Sequence, residues 1–261
     1  MNETKPCALC GESKPLRDSH YFPKAAYKEL GKSKKSKISP VKLDMLKARA
    51  NSSDKQYKKH LLCNDCEKLF SKREDIVSRF WRKSSGFLLK NQLRNMKIYE
   101  DYNDQRVFPT YPPVSIKQDD LFYFILSIVW RASQGPWGDL PGINGIPTSV
   151  MPHIEKYLLG SGPQPAGIKI IIYVDWKDRL KDMIRFVSEG PHYPGGYWFA
   201  QFVMLGLTVD VFFGCNPLQE LDIAMRFGGE RMILILDIER SNQFYTSIAT
   251  VKGEPTYIEK L

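Results

Sequence analysis

Apolar residues in the second half of the chain recur at helical and at strand spacings, which predicts a mixed set of elements. Helices are predicted at residues 119–134, 147–159, 176–187 and 218–226. Runs rich in β-branched and aromatic residues predict strands at residues 168–174, 197–205, 208–213, 231–238 and 244–251. We therefore expect residues 116–261 to form a mixed α+β domain. Within its first helix, Trp130 is expected in the core and Arg131 near the C-terminal end of the helix dipole.

The first hundred residues show weaker periodicity, with one clear exception. Large apolar residues recur at spacings near 3.6 over residues 69–81, which predicts a helix that residues 87–93 continue. Residues 41–50 predict a short helix, because three of their apolar residues fall on one helical face. Prolines and a Tyr-Asn-Asp turn signal predict an irregular linker at residues 99–115. This pattern divides the chain into a front module (residues 1–98), the linker and the α+β domain.

Charge is distributed unevenly along the chain, whose formal net charge is +9. Residues 1–98 contain 24 Lys and Arg against 10 Asp and Glu, whereas residues 99–261 contain 14 and 19. A basic front half joined to a mildly acidic back half indicates that only the front module meets a polyanion. The insertion at residues 31–59 is the most basic segment, and four of its lysines are candidate nucleic-acid contacts: Lys32, Lys34, Lys35 and Lys37.

The sequence also bears on where the protein works. It has neither an N-terminal apolar leader nor an apolar run of about 18 residues that would span a membrane. Together with cysteines spaced for metal binding, this predicts a cytoplasmic protein without a membrane partner. A protein partner or a second copy of the chain is expected to bind, if at all, through residues 116–261.

Two Cys-x-x-Cys pairs are the most specific signal in the chain. Cys7 and Cys10 form the first pair, and Cys63 and Cys66 form the second. Each pair suits a tight turn that directs two thiolates at one point, and two such turns complete a tetrahedral site whose usual occupant is Zn²⁺. The fifth cysteine, Cys215, stands alone in an apolar stretch and is interpreted as a core thiol.

The order of these elements resembles the HNH endonucleases of the ββα-metal class, in the version stapled by four cysteines, over residues 5–80. The first cysteine pair is followed by Ser19-His20-Tyr21-Phe22-Pro23, then by Leu-Leu-Cys-x-x-Cys-Glu ending at Glu67, and then by the predicted helix. The resemblance implies a front ββα module in which His20 is the general base and Glu67 binds a catalytic ion. A neutral imidazole suits proton abstraction from water, and Mg²⁺ or Mn²⁺ on oxygen ligands offsets phosphate charge.

The chain departs from the family pattern at one position. The family usually has Asp before the histidine, where this chain has Ser19. Three other residues are candidate ligands for the catalytic ion: Asp18, His60 and Glu74. Glu67 and Glu74 are seven residues apart, about 10 Å along a helix, which is too far for both to bind one ion without side-chain reach or bridging water.

Two functions from different classes follow. The first is a metal-dependent HNH-type endonuclease that hydrolyses DNA, with structural Zn²⁺ and catalytic Mg²⁺ or Mn²⁺. The resemblance further implies defence against phage or mobile elements. The alternative is a zinc-ribbon protein that binds nucleic acid, or acts as an adaptor, without cutting. Loss of a metal ligand would produce the alternative, since changes around a metal usually weaken its site.

Overall fold

The computed structural model describes residues 5–30, 41–44, 49–52, 55–81, 88–94, 100–102, 105–109, 117–175, 178, 180–189, 198–214 and 232–237. Its helices are α1 (Lys24–Leu30), α2 (Asn64–Ser78), α3 (Leu88–Arg94), α4 (Gln118–Ser133) and α5 (Met151–Leu158). Its strands are β1 (Lys5–Pro6), β2 (Ser13–Lys14), β3 (Leu16–His20), β4 (Val41–Asp44), β5 (Arg49–Ser52), β6 (Lys58–Cys63), β7 (Glu100–Tyr102), β8 (Gln105–Pro109), β9 (Ile168–Asp175), β10 (Ile184–Glu189), β11 (Trp198–Met204), β12 (Leu207–Phe213) and β13 (Met232–Asp237). The mixed α+β class is therefore confirmed.

A seven-stranded sheet forms the centre of the back half, in the order β10-β11-β12-β9-β13-β8-β7. Its described neighbours pair antiparallel, except that β9 and β13 run parallel. The side chains of β12 are buried on both faces, so this strand lies inside the fold. Its apolar sequence fits that position, since a strand covered on both faces loses the polar alternation of a half-exposed one.

A tight hairpin joins β11 to β12. Met204 pairs with Leu207, which leaves Leu205 and Gly206 as a two-residue turn. Both have positive φ, 50° and 89°, as a type I′ turn requires. Glycine adopts a positive φ without strain. Leu205 adopts it as well, and its side chain is buried, with 2% of its surface exposed.

The front of the chain forms a two-stranded hairpin and a helix that follows it directly. Strand β3 pairs antiparallel with β6, and α2 begins at the residue after β6 ends. One face of α2 carries Cys66, Phe70 and Val77, which are buried. This face packs against α4, on which 13 consecutive residues from Asp120 to Ala132 are buried. The predicted helices at residues 69–81 and 119–134 are thus confirmed.

The front and back halves share one hydrophobic core. Phe22 and Phe70 from the front belong to the same cluster of buried residues as Ile172 and Phe213 from the sheet. Polar contacts join the halves as well. The Tyr21 hydroxyl accepts a hydrogen bond from the Val187 amide at 3.2 Å, and the Trp81 indole donates to the Leu205 carbonyl at 2.9 Å.

Two predicted helices are wrong. Residues 41–50 contain β4 and the start of β5, which pair antiparallel from Val41–Ser52 to Asp44–Arg49. Apolar and charged residues alternate in β4, so a strand period fits this short segment as well as a helical one. In residues 176–187, the described part turns at residues 180–183 and enters β10, which pairs with β11. A partner strand satisfies the backbone there, which local sequence does not reveal.

The segment predicted as an irregular linker, residues 99–115, contains β7 and β8. Strand β8 pairs with β13 and so joins the central sheet. The division of the chain at this segment stays a prediction. The predicted helix at 218–226, the predicted strand at 244–251, Cys215 and the four lysines of the insertion lie outside the described residues.

The remaining predictions for the back half agree with the structure. Strands β9, β11, β12 and β13 lie where strands were expected, and α5 lies within the predicted helix at residues 147–159. Among the described helices, none is both long and apolar enough to cross a membrane.

Candidate metal centre and the histidine beside it

The first cysteine pair lies on a knuckle between β1 and β2. The Cys7 amide donates to the Glu12 carbonyl, and the Gly11 amide donates to the Cys7 carbonyl, both at 2.9 Å. Gly11 has a φ of +72°, which a residue with a side chain rarely adopts, so glycine allows this turn. The knuckle is held against the hairpin because the Ala8 amide donates to the Leu61 carbonyl at 3.1 Å.

The second pair lies at the junction of β6 and α2. Cys63 ends the strand and is the N-cap of the helix, while Cys66 lies in the first helical turn. The second cysteine pair therefore lies at the end of the hairpin against which the knuckle of Cys7 and Cys10 packs. Because α2 follows β6 without a loop, regular secondary structure fixes the positions of Cys63 and Cys66 relative to each other.

The four thiols have the spacing of a tetrahedral zinc site. All four sulfur atoms lie within 4.8 Å of one another, and the Cys10 and Cys63 sulfurs are 3.9 Å apart. Zn–S bonds of about 2.3 Å in a tetrahedron place sulfurs about 3.8 Å apart. Cys7, Cys63 and Cys66 are buried and Cys10 is half-buried, so the cluster is shielded from water. The cluster can hold a zinc ion, as the sequence predicted.

Backbone amides prepare part of this site for thiolates. Burial disfavours the Cys7 thiolate, but amide hydrogen bonds from Cys10, Cys63 and Leu9 outweigh that effect and lower the Cys7 pKa to about 7. One of these donors is the Cys63 amide, 3.2 Å from the Cys7 sulfur. Burial raises the pKa of Cys10 and Cys66 instead. A bound cation would favour the thiolate at all four positions.

His20 is the last residue of β3 and lies on the face of the hairpin that Lys58 shares as its cross-strand partner. Its Nε2 is 3.1 Å from the Gln56 side-chain oxygen, and its ring centroid is 6.0 Å from that of Tyr27. Burial and the nearby charges of Lys58 and Lys24 lower the His20 pKa, although the Gln56 hydrogen bond opposes the shift. The lowered pKa favours the neutral imidazole, which is the form that can accept a proton.

Ser19 has a structural role at the position where the resemblance expects a carboxylate. The pairing of β3 with β6 shifts between Arg17 and Asp18, which is a β-bulge. Ser19 is fully buried, and its hydroxyl accepts a hydrogen bond from the Leu62 amide at 3.3 Å. The hydroxyl replaces a ladder hydrogen bond that the bulge disrupts. Ser19 therefore stabilises the hairpin and does not face the surface that His20 shares.

The four candidate ligands for a catalytic ion have different environments. Asp18 and His60 are exposed and pair across the hairpin, and the Asp18 carboxylate lies 3.8 Å from the Lys58 ammonium. Glu74 forms a buried ion pair with Arg131 of α4, which faces away from solvent. Glu67 lies in the first turn of α2. Its Oε1 is buried, and no described group hydrogen-bonds to it.

The four candidates do not form a preformed cluster. Among the described residues, the four cysteines are the one group of metal-ligating side chains that converges on a point. Glu74 is committed to Arg131, which is 3% exposed and also lies over the Phe70 ring at 4.8 Å. Arg131 is thus the buried partner of Glu74 in an ion pair. It lies in the last turn of α4, near the C-terminal end of the helix dipole as predicted.

Three residues of the histidine surroundings escaped the sequence analysis: Gln56, Lys58 and Tyr27. Alternation in the strand after Gln56 is the signal that would have found Lys58, because Lys58 and His60 fall on one face of β6. The contact with Gln56 depends on strand register, which a single sequence does not contain.

Comparison with protein-family models, curated proteins and solved structures finds no match to this chain.

Proposed function

We propose that the protein is a metal-dependent HNH-type endonuclease that hydrolyses DNA. The observation that supports this most is the position of His20 at the end of a hairpin strand, next to a helix that begins within the four-cysteine cluster. Its surroundings lower its pKa and so favour the neutral imidazole. Phosphodiester hydrolysis needs a positioned base to take a proton from water, and His20 meets that need. Lys24 and Lys58 lie close enough to affect its pKa, so the surroundings of the base are positive, as phosphate binding requires.

Glu67 is the residue we assign to the catalytic ion. A buried carboxylate oxygen without a hydrogen bond is costly unless a cation or water occupies the space beside it. A bound Mg²⁺ or Mn²⁺ would supply charge stabilisation at the phosphate and the leaving oxygen. Asp18 and His60 remain candidates for completing its ligand set from the hairpin. Structural Zn²⁺ bound by the four cysteines would hold the β3–β6 hairpin and α2 in a fixed relative position.

A plasmid assay tests the proposal. Purified protein should nick or cut DNA with Mg²⁺ or Mn²⁺ and should not cut when neither ion is added, although elemental analysis shows that it retains its zinc. His20→Ala should reduce turnover by roughly 10²- to 10⁴-fold and leave DNA affinity nearly unchanged. Full activity in this variant would contradict His20 as the base.

A second substitution tests the ion site. Glu67→Gln should lower the rate and raise the metal concentration needed for half-maximal cleavage. A Glu67 that serves only the positive end of the α2 dipole would instead show normal cleavage and a stability loss of about 0.3–1 kcal/mol.

The second candidate function is a zinc protein that binds nucleic acid without cutting it. It is favoured by the roles of Ser19 and Glu74, since the first fills a bulge and the second is paired with Arg131. Salt-sensitive gel retardation without cleavage in either metal would support this function.

We also propose a role in defence against phage or mobile elements, which rests on the resemblance of the front module to stand-alone nucleases. Expression in a bacterial host should restrict phage growth or prove toxic. The His20→Ala variant, at equal expression, should lose the effect. An equal effect of both proteins would contradict a role for cleavage.

A further inference from the structure

One hydrogen bond bears on which nitrogen of His20 is available for chemistry. Its Nε2 lies 3.1 Å from the side-chain oxygen of Gln56. With the amide oxygen of Gln56 toward the ring, that oxygen accepts a hydrogen bond, which favours the tautomer that carries the proton on Nε2. The neutral ring then keeps its free electron pair on Nδ1, the other nitrogen.

The backbone next to Gln56 is fixed by pairing and packing. The carbonyl of the next residue, Tyr57, accepts a hydrogen bond from the Tyr21 amide at 2.9 Å, which continues the β3–β6 pairing beyond His20. Tyr57 is 3% exposed, and its ring packs edge-on against Phe186 at a centroid distance of 4.8 Å. The backbone on one side of Gln56 is therefore held in place, and the Gln56 side chain reaches the imidazole from there.

A second contact limits rotation of the imidazole. The Tyr27 ring, from α1, lies 6.0 Å from the His20 ring at an interplanar angle of 42°. Gln56, from the segment before β6, and Tyr27, from α1, thus both contact the imidazole. A catalytic ring is useful only when the reactive nitrogen points at its target, and support of this kind is how proteins provide that.

We propose that Gln56 is a positioning residue that holds His20 as the Nε2-protonated tautomer and leaves Nδ1 to accept the proton from the attacking water. This inference rests on the proposed function, since it assigns the base nitrogen within the same site. In this step the proton passes from water to Nδ1, the resulting hydroxide forms a bond to phosphorus, and the bond from phosphorus to the leaving sugar oxygen breaks. The leaving oxygen takes up a proton from solvent water. Gln56 itself does not touch the substrate and acts through the imidazole.

Two substitutions of similar length separate the hydrogen bond from the volume of the side chain. Gln56→Met removes the acceptor and keeps the shape, whereas Gln56→Glu retains an oxygen acceptor. Gln164→Met, in the segment between α5 and β9, is the matched control for a glutamine changed elsewhere. Each full-length protein is prepared with ¹⁵N-labelled histidine and studied by NMR at a pH where His20 is neutral, without DNA.

The wild type, the Gln56→Glu variant and the control should show an Nε2-bound proton on His20 that exchanges slowly with water. Gln56→Met should lose this signal, because its Nε2–H faces solvent. In the cleavage assay, Gln56→Met should lower kcat by roughly 3- to 10-fold, the usual worth of one hydrogen bond, with KM unchanged. Gln56→Glu, which retains an oxygen acceptor, should keep most of the wild-type kcat.

The results distinguish this inference from the proposed function. A wild-type protein that cuts DNA but lacks the protected Nε2 proton contradicts the inference alone. So does a Gln56→Met variant that loses the proton and keeps the wild-type kcat. A wild-type protein that shows the proton and cuts no DNA contradicts the proposed function, and with it the catalytic use of this hydrogen bond.

Discussion

Glu74 shows how a residue with metal-ligand chemistry can be engaged elsewhere in the fold. The sequence places it on the same face of a helix as Glu67, which made it a candidate ligand. Its carboxylate is 15% exposed and pairs with Arg131, whose side chain is 3% exposed. Removing one partner of such a buried pair leaves an uncompensated charge, which is far more costly than losing an exposed pair.

Glu74→Gln should therefore destabilise the protein by about 3–5 kcal/mol without changing the metal requirement for cleavage. The matched control is Asp139→Asn, which breaks the ion pair of Asp139 with Lys55. Both of these side chains are about half exposed, so the loss should stay below about 1 kcal/mol. Urea unfolding of both variants measures the difference. A Glu74→Gln protein of normal stability with a raised metal requirement would instead make Glu74 a ligand.

The environment of His20 gives a prediction for pH dependence. Burial, Lys58 and Lys24 lower its pKa from the ordinary value of 6.5, so the ring stays neutral to a lower pH than a free histidine. The base is active when neutral, and cleavage should therefore fall only below about pH 6.5 on the acid side. Lys58→Gln removes a repelling charge and should move this midpoint upward. Rates of cleavage measured from pH 5 to 8 at saturating metal test both points; an acid midpoint above 6.5 in the wild type would contradict them.

Elements with long, regular patterns could be predicted from the sequence. Helices α2 and α4 and strands β9 and β12 each present enough residues for one period to dominate. Short elements could not, because β4, β7 and β10 depend on a partner strand for their backbone hydrogen bonds. The cysteine spacing predicted the metal cluster for a different reason: metal geometry restricts which residues can converge. The surroundings of His20 depend on register between distant segments, which the sequence alone does not determine.

The hairpin formed by β3 and β6 depends on the cysteine cluster that holds its end. Cys63→Ser should lose the zinc and unfold the β3–β6–α2 unit, since metal binding and folding are coupled in such small units. Cys215→Ser changes the cysteine that belongs to neither Cys-x-x-Cys pair and should retain the metal. Elemental analysis should give about one zinc per chain for the wild type and this control. A cooperatively folded, zinc-free Cys63→Ser protein would contradict the structural role.

The face of the hairpin that carries His20 should contact phosphates. Lys58 is the cross-strand partner of His20, and Lys24 begins α1 four residues further on. Replacing both by Gln should reduce the salt dependence of DNA binding by about 1.8, at about 0.9 for each phosphate that a lysine no longer neutralises. Lys156 and Lys181, two exposed lysines of the back half, provide a control with the same charge change. Equal slopes in the two double variants would assign Lys24 and Lys58 to solubility.

The whole molecule combines its basic front and acidic back through one core. Tyr21 contacts Trp137 and Phe186, and Phe22 contacts Phe202, so aromatic residues of the front pack directly on the sheet and on the loop after α4. Charge asymmetry along the sequence suggested two modules. The charge asymmetry predicts which half would meet a polyanion, but it contains no information on how much apolar surface the halves bury against each other.

A fragment of residues 1–98 should therefore fail to fold as an independent module, even with zinc. Without the sheet and α4, it would expose Tyr21, Phe22 and Phe70, which are at most 2% exposed in the full chain. Exposing three such side chains costs about 5–9 kcal/mol by the usual transfer values, as much as many domains have in total. We expect the fragment to bind zinc at the cysteine knuckles but to show poorly dispersed NMR spectra and no cooperative unfolding. A compact fragment that unfolds cooperatively on heating and cuts DNA would contradict this prediction. It would show that the front module does not need the sheet for its stability or its activity.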